Sequence, residues 1–94
     1  MAFKQESAET LALQALGWLA GREDLLPVFL NASGASVADL AKAAQEPALL
    51  AAVLDFVMTE DAWVIAFCDA TGHRYDQPLL ARAVLSGGAD PHWT

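Results

Sequence analysis

Cys68, Asp69 and His73, with His92 further along, are the residue types here that come nearest to a metal or thiol site. A structural zinc site takes four Cys or His ligands. The chain holds one cysteine and two histidines in all, so no metal is expected. A catalytic thiol needs an electropositive, accessible setting. Cys68 stands between Phe67 and Asp69 on an apolar segment, which predicts an inert, buried cysteine.

Two carboxylates can divide acid and base roles where their surroundings separate their pKa values. Glu23-Asp24 and Glu60-Asp61 are such pairs. Each also stands where a helix is due to begin, and acids there cap the helix and complement its dipole. Capping is the expected role. Asp55 is the one charge between Pro47 and Thr59. If buried it needs a partner such as Arg22, Arg74 or Arg82; a structural ion pair, or exposure on an alanine strip, is expected. No nucleophile, base and oxyanion donor stand together at a readable spacing. No catalytic residue is assigned, the chain is not expected to be an enzyme, and no cofactor is implied.

Two binding surfaces compete. The aromatic and leucine content exceeds what a small interior easily holds. Trp18, Trp63, Leu25 and Leu26 are therefore candidates for a partner surface, an apolar patch with an acidic rim. The alternative is a helix-turn-helix-like, nucleic-acid-binding or regulatory domain. It would use the local cluster His73, Arg74, Tyr75 and Arg82, with the last two helices as the motif. Against it, the final helix offers only Gln77 and Arg82 to read a base or phosphate.

Charge weighs on the same side. Twelve acids stand against five bases, a net charge of −7. Such a chain repels phosphate backbones and anionic membrane surfaces. Bulk binding to either is disfavoured. The lone cysteine forms no internal disulfide, and the first residues lack a signal-peptide shape, so a cytoplasmic location is expected. No window is long and apolar enough for a membrane span.

The elements that must position these residues are helical. Alanine supplies 20 of the 94 residues and leucine 14, against 11 Val, Ile and Thr together. That balance favours helix over sheet. Ser7 reads as the cap of a first helix running to Ala20, with Gly21 as its stop. Its one non-apolar strip is Thr10, Gln14, Gly17 and Gly21, so it should be central. Asp24 reads as the cap of a second helix that ends at Gly34. Ser36 caps a third, with Asp39 as a shortened capping-box acid, and Val37, Leu40, Ala41 and Ala44 facing inward. Pro47 opens a fourth, apolar nearly all round, whose thin strip is Ala48, Ala51, Ala52 and Asp55. Thr59 reads as the cap of a fifth, which Gly72 ends. Asp76 reads as the cap of a sixth, with Leu79, Leu80, Val84 and Leu85 as its apolar positions and Ser86-Gly87-Gly88 as its stop.

The two halves resemble each other. Leu13, Leu16, Leu19, Glu23 and Asp24 recur 37 residues on as Leu50, Val53, Phe56, Glu60 and Asp61. Phe29 and Gly34 recur 38 residues on as Phe67 and Gly72. A duplication would place the first and fourth helices together at the centre, with Gly17 allowing close approach. The offsets drift, and convergent helix-hairpin grammar gives the same pattern.

The stretch Ala8 to Ala20, the acidic turn followed by Leu25-Leu26 and Phe29-Leu30, and Leu49 to Phe56 together resemble a small all-helical alphaproteobacterial family known only as a domain of unknown function. The resemblance covers roughly residues 7–86. It implies a stand-alone cytoplasmic helical domain and supplies no catalytic residue or ligand.

The expectation is an all-α protein, a compact bundle of five or six short helices that admits two pseudo-repeated helical hairpins. Residues 1–6 are expected to be a flexible N-terminus, 7–88 a single helical domain, and 89–94 a mobile tail carrying His92 and Trp93. The expected partner is an unknown protein or a second copy; nucleic acid is the lesser alternative, and a membrane is not expected.

Overall fold

The computed structural model describes residues 4–85, apart from the side chain of Ala44. The first helix, α1, spans Gln5–Ala20. Good helix formers fill it and proline is absent. It starts before the expected Ser7 cap: Lys4 is the extended residue ahead of it, and Ser7 lies exposed within the first turns. The Gln5 amide donates to Glu9 at 3.0 Å, one turn on, which supports the extra turn. Ala8, Leu11, Ala12, Ala15, Leu16 and Leu19 are buried. Thr10, Gln14, Gly17 and Gly21 form the exposed strip as expected, and Leu13 and Ala20 widen it.

The second helix, α2, spans Leu26–Ser33. Asp24 was the expected cap, but no side chain caps this helix, and its carboxylate binds Arg22 instead, at 3.1 and 3.2 Å. Pro27 sits in the first turn, where a missing N–H costs little. Gly34 ends the helix in the left-handed region at φ 77°.

The third helix, α3 (Val37–Leu40), carries the expected capping box. The Asp39 N–H donates to the Ser36 hydroxyl at 3.2 Å, and the Ser36 N–H donates to the Asp39 carboxylate at 2.9 Å. The inward face differs from expectation: Val37 is 67% exposed and Ala41 is exposed. After four residues the chain tightens into a 3-10 turn at Ala43–Gln45. The tighter winding shifts the inward position, so Ala43 is buried and Leu40 half-buried.

The fourth helix, α4 (Pro47–Val57), begins at its proline. Leu50, Ala51, Val53, Leu54 and Val57 are buried. Ala51 thus leaves the expected strip, while Ala48 and Asp55 stay exposed.

The fifth helix, α5, spans Asp61–Thr71 and starts after Glu60. Thr59 does not cap it; its hydroxyl turns back and donates to the Asp55 carbonyl at 3.1 Å. Gly72 ends it at φ 80°. The sixth, α6, spans Gln77–Leu85. Its buried positions are Pro78 and Ala81, with Val84 and Leu85 half-buried. Leu79 and Leu80, expected among the packed residues, are 63% and 44% exposed. The stop at Ser86-Gly87-Gly88 and the tail lie outside the described residues.

α1 packs along α4, and α6 lies against both. α2 packs on α4, and α5 on α1. The second helix of each half therefore rests on the first helix of the other, and both end in the same left-handed glycine stop. The third helices break the symmetry, since α3 is a single turn and α6 spans nine residues. Among the described residues there is no strand, and no helix is long and apolar enough to cross a membrane. The expected all-α bundle is present.

Gly17 is not a point of close approach: nothing lies within 4 Å of a Cβ added there. Gly17→Ala should therefore raise stability by about 0.5–1 kcal/mol, from helix propensity alone. Leu50→Ala, at a fully buried position of α4, should lower it by about 2–5 kcal/mol. Urea unfolding followed by circular dichroism checks both.

Candidate functional site

The loop between α5 and α6 follows from the Gly72 stop. The Gly72 and His73 N–H groups both donate to the Cys68 carbonyl, at 2.7 and 3.1 Å, which turns the chain sharply. Cys68, Asp69, Gly72, His73, Arg74, Tyr75 and Asp76 line an open concavity of about 570 Å³.

The polar groups of this loop are already engaged. Both ring nitrogens of His73 meet amide oxygens, Gln77 at 2.9 Å and Gln14 of α1 on the other side. Gln77 also accepts from the Arg74 N–H at 3.3 Å. The Arg74 guanidinium binds Asp76 at 3.2 Å. The Tyr75 hydroxyl donates to Asp69 at 2.7 Å; this bond and the carboxylate's charge push the phenol above its ordinary pKa. Arg82 makes a two-pronged contact with Asp55 of α4, at 2.7 and 3.0 Å. The bond holds the guanidinium charge still more firmly. Of the three arginines offered as partners for Asp55, Arg82 is the one that binds it.

Each of the four residues of the nucleic-acid reading thus has a carboxylate or amide partner within the chain, while the Arg74 side chain stays 80% exposed. α6 packs mainly on α1 and α4 rather than on α5, and its outward positions are Leu79, Leu80 and Ala83. A recognition helix presents polar or basic side chains there.

The expected partner surface is also rearranged. Leu25 is buried, 6% exposed, and belongs to the core. Leu26 is half-buried. The Trp18 ring meets the edge of Phe67 at 6.1 Å, and Arg22 lies over it at 5.0 Å. Trp63 stacks on Phe56 at 5.0 Å. Both tryptophans pack against the core with one side open. The residues that stand clear are others: Ile65, Tyr75, Leu79 and Leu80 are 45%, 56%, 63% and 44% exposed. The helical period of α6 alone could have flagged Leu79 and Leu80. They share an arc with Ala83, opposite the arc of Pro78, Ala81 and Leu85.

Among the described residues, no three of His, Cys, Asp and Glu are placed to hold a metal. Cys68 is buried, and its thiol donates to the Arg74 carbonyl at 3.4 Å. Burial pushes the thiol above its ordinary pKa, and Asp69 and Asp76 add to the rise. At any given pH the folded protein thus holds less thiolate than a free thiol does. Cys68 should react with Ellman's reagent at least about tenfold more slowly in the native protein than in 6 M guanidinium. Equal rates in the two conditions would contradict this burial.

No curated protein and no solved structure matches the chain. Residues 5–88 match the family described as a protein of unknown function, DUF3572, and the chain belongs to that family.

Proposed function

We propose that this chain is a non-catalytic, cytoplasmic protein-interaction domain that acts through the end of the bundle formed by α5, α6 and the loop between them. One observation carries the reading. Four of the seven large hydrophobic residues that stand exposed, Ile65, Tyr75, Leu79 and Leu80, fall on this one stretch. Scattered apolar side chains need no explanation, but grouped ones mark contact surfaces. Asp69 and Asp76 share the loop concavity with Tyr75, and Asp69 follows Ile65 by one helical turn; these carboxylates supply the acidic rim.

The non-catalytic part rests on Cys68 and His73. The one thiol is buried and its pKa is raised by that burial, and the imidazole meets two glutamines. The partner is a protein rather than a nucleic acid, because a net charge of −7 repels phosphate and the arginines are bound to carboxylates.

The test is affinity capture of the tagged protein from its native cytoplasm, with and without nuclease, beside a Leu79→Glu/Leu80→Glu variant. Both positions are exposed, so the variant should keep the wild-type circular dichroism. A partner that survives nuclease and falls at least about tenfold with the variant supports the reading. Captured material that is lost to nuclease, or a partner held equally by the variant, would overturn it. Light scattering on the eluate separates a second copy from a different protein.

A further inference from the structure

The outward face of α5 has a regular composition. Asp61, Ile65 and Asp69 follow at four-residue steps, so they stand in one row about 6 Å apart along the helix axis. All three are exposed, and Ala62 beside them is exposed and small. On the core side of the same helix Phe67 is buried opposite Ile65, and Cys68 is buried on the flank next to the row. The row continues into the loop, because the Tyr75 hydroxyl binds Asp69 at 2.7 Å.

The charge on this row is not cancelled from within. Arg22 and Arg82 are bound to aspartates elsewhere, Asp24 and Asp55, and Arg74, which shares the loop concavity with Asp69 and Tyr75, is bound to Asp76. The remaining bases, Lys4 and Lys42, lie before α1 and after α3. Asp61 has no side-chain partner among the described residues, and Asp69 has only the neutral phenol of Tyr75.

Resting on the interaction reading above, we infer that the Asp61-Ile65-Asp69-Tyr75 row docks a basic amphipathic helix of a partner protein. Lysine or arginine residues two turns apart on that helix pair with Asp61 and Asp69. An apolar residue between them covers Ile65, and the Tyr75 ring closes one end. The charge pattern selects this occupant. A second copy brings a further −7 and three arginines already bound to carboxylates, so it meets like charge along the row. Anionic lipid and nucleic acid are repelled for the same reason.

The probe is a fluorescein-labelled amphipathic peptide of leucine and lysine, about 18 residues long, titrated into the full chain at about 150 mM salt. Wild type is compared with Asp61→Asn/Asp69→Asn, with Ile65→Ser, and with Glu6→Gln/Glu23→Gln, which removes the same charge from exposed sites elsewhere. The Asp61/Asp69 pair should weaken binding about tenfold and Ile65→Ser several-fold, while the control pair changes it less than about twofold. Peptide-induced amide shifts should fall on α5 and Tyr75. Equal weakening by the two charge pairs, shifts spread over the molecule, or no binding by wild type would overturn the inference. A partner that is captured through Leu79 and Leu80 but is indifferent to Asp61 and Asp69 would overturn it too, and would leave the broader interaction reading standing.

Discussion

The pairing of α1 with α4 is the contact on which the other helices rest. A chain of 94 residues has little interior. It fills that interior with two helices that are apolar over most of their circumference. Leu11, Leu19, Leu50, Val53, Leu54 and Val57 are at most 1% exposed. Two such helices cannot hide each other entirely, so each needs further cover. α6 supplies it along both, α2 covers part of α4, and α5 covers part of α1. The Asp55–Arg82 contact joins α4 to α6 from the solvent side. With Asp55 half-exposed it adds about 1 kcal/mol at most. Its role is to fix where α6 lies rather than to hold the bundle together.

That cover is thin, and its thinness generates the surface. α6 buries Pro78 and Ala81, both short side chains, against the central pair. Small residues on the inward arc bring the helix close. The leucines that sequence composition would send inward then have nowhere to go but out. The same holds for α5, where Phe67 and Cys68 fill the inward arc and Ile65 is left outside. The exposed apolar residues at this end therefore follow from how α5 and α6 sit on α1 and α4, not from an excess of hydrophobic residues in the chain as a whole.

This also marks what could be read from the sequence. The backbone stops were legible, because Gly34 and Gly72 need φ values that other residues resist, and Pro47 fits only a first turn. The Ser36-Asp39 box was legible because both of its partners lie within one turn. Ser7, Asp24 and Thr59 misled because each has a competing arrangement nearby: a helix that starts earlier, Arg22, and the Asp55 carbonyl. A local signal cannot rank such competitors. Val37 misled because the chain leaves α-helical winding after four residues. Which large apolar residues stand exposed was not legible, for a different reason. Size and hydrophobicity made Trp18 and Trp63 stand out, whereas exposure depends on which arc the neighbouring helices occupy. Trp63 stacks on Phe56, and Trp18 lies against Phe67. The packing of α6 on α1 and α4, which turns Leu79 and Leu80 outward, is a long-range fact.

The distribution of charge gives the surface its direction. Each arginine is consumed by an aspartate in the folded chain, in two cases only two residues away in sequence. Such short-range pairs close with little loss of chain entropy, and at these exposures each adds little to stability. The guanidinium of Arg22 even holds Asp24 below the usual carboxylate range. Each pair sets an aspartate beside the guanidinium, which offsets its attraction for phosphate or carboxylate even at Arg74, whose side chain is 80% exposed. Along α5 the unpaired charge is acid: Asp61 and Asp69 stand exposed with Ile65 and Tyr75. A surface of this kind resists association with its own copies through like-charge repulsion while keeping apolar area available. A cationic partner reverses the sign of that repulsion and gains the apolar contact at the same time.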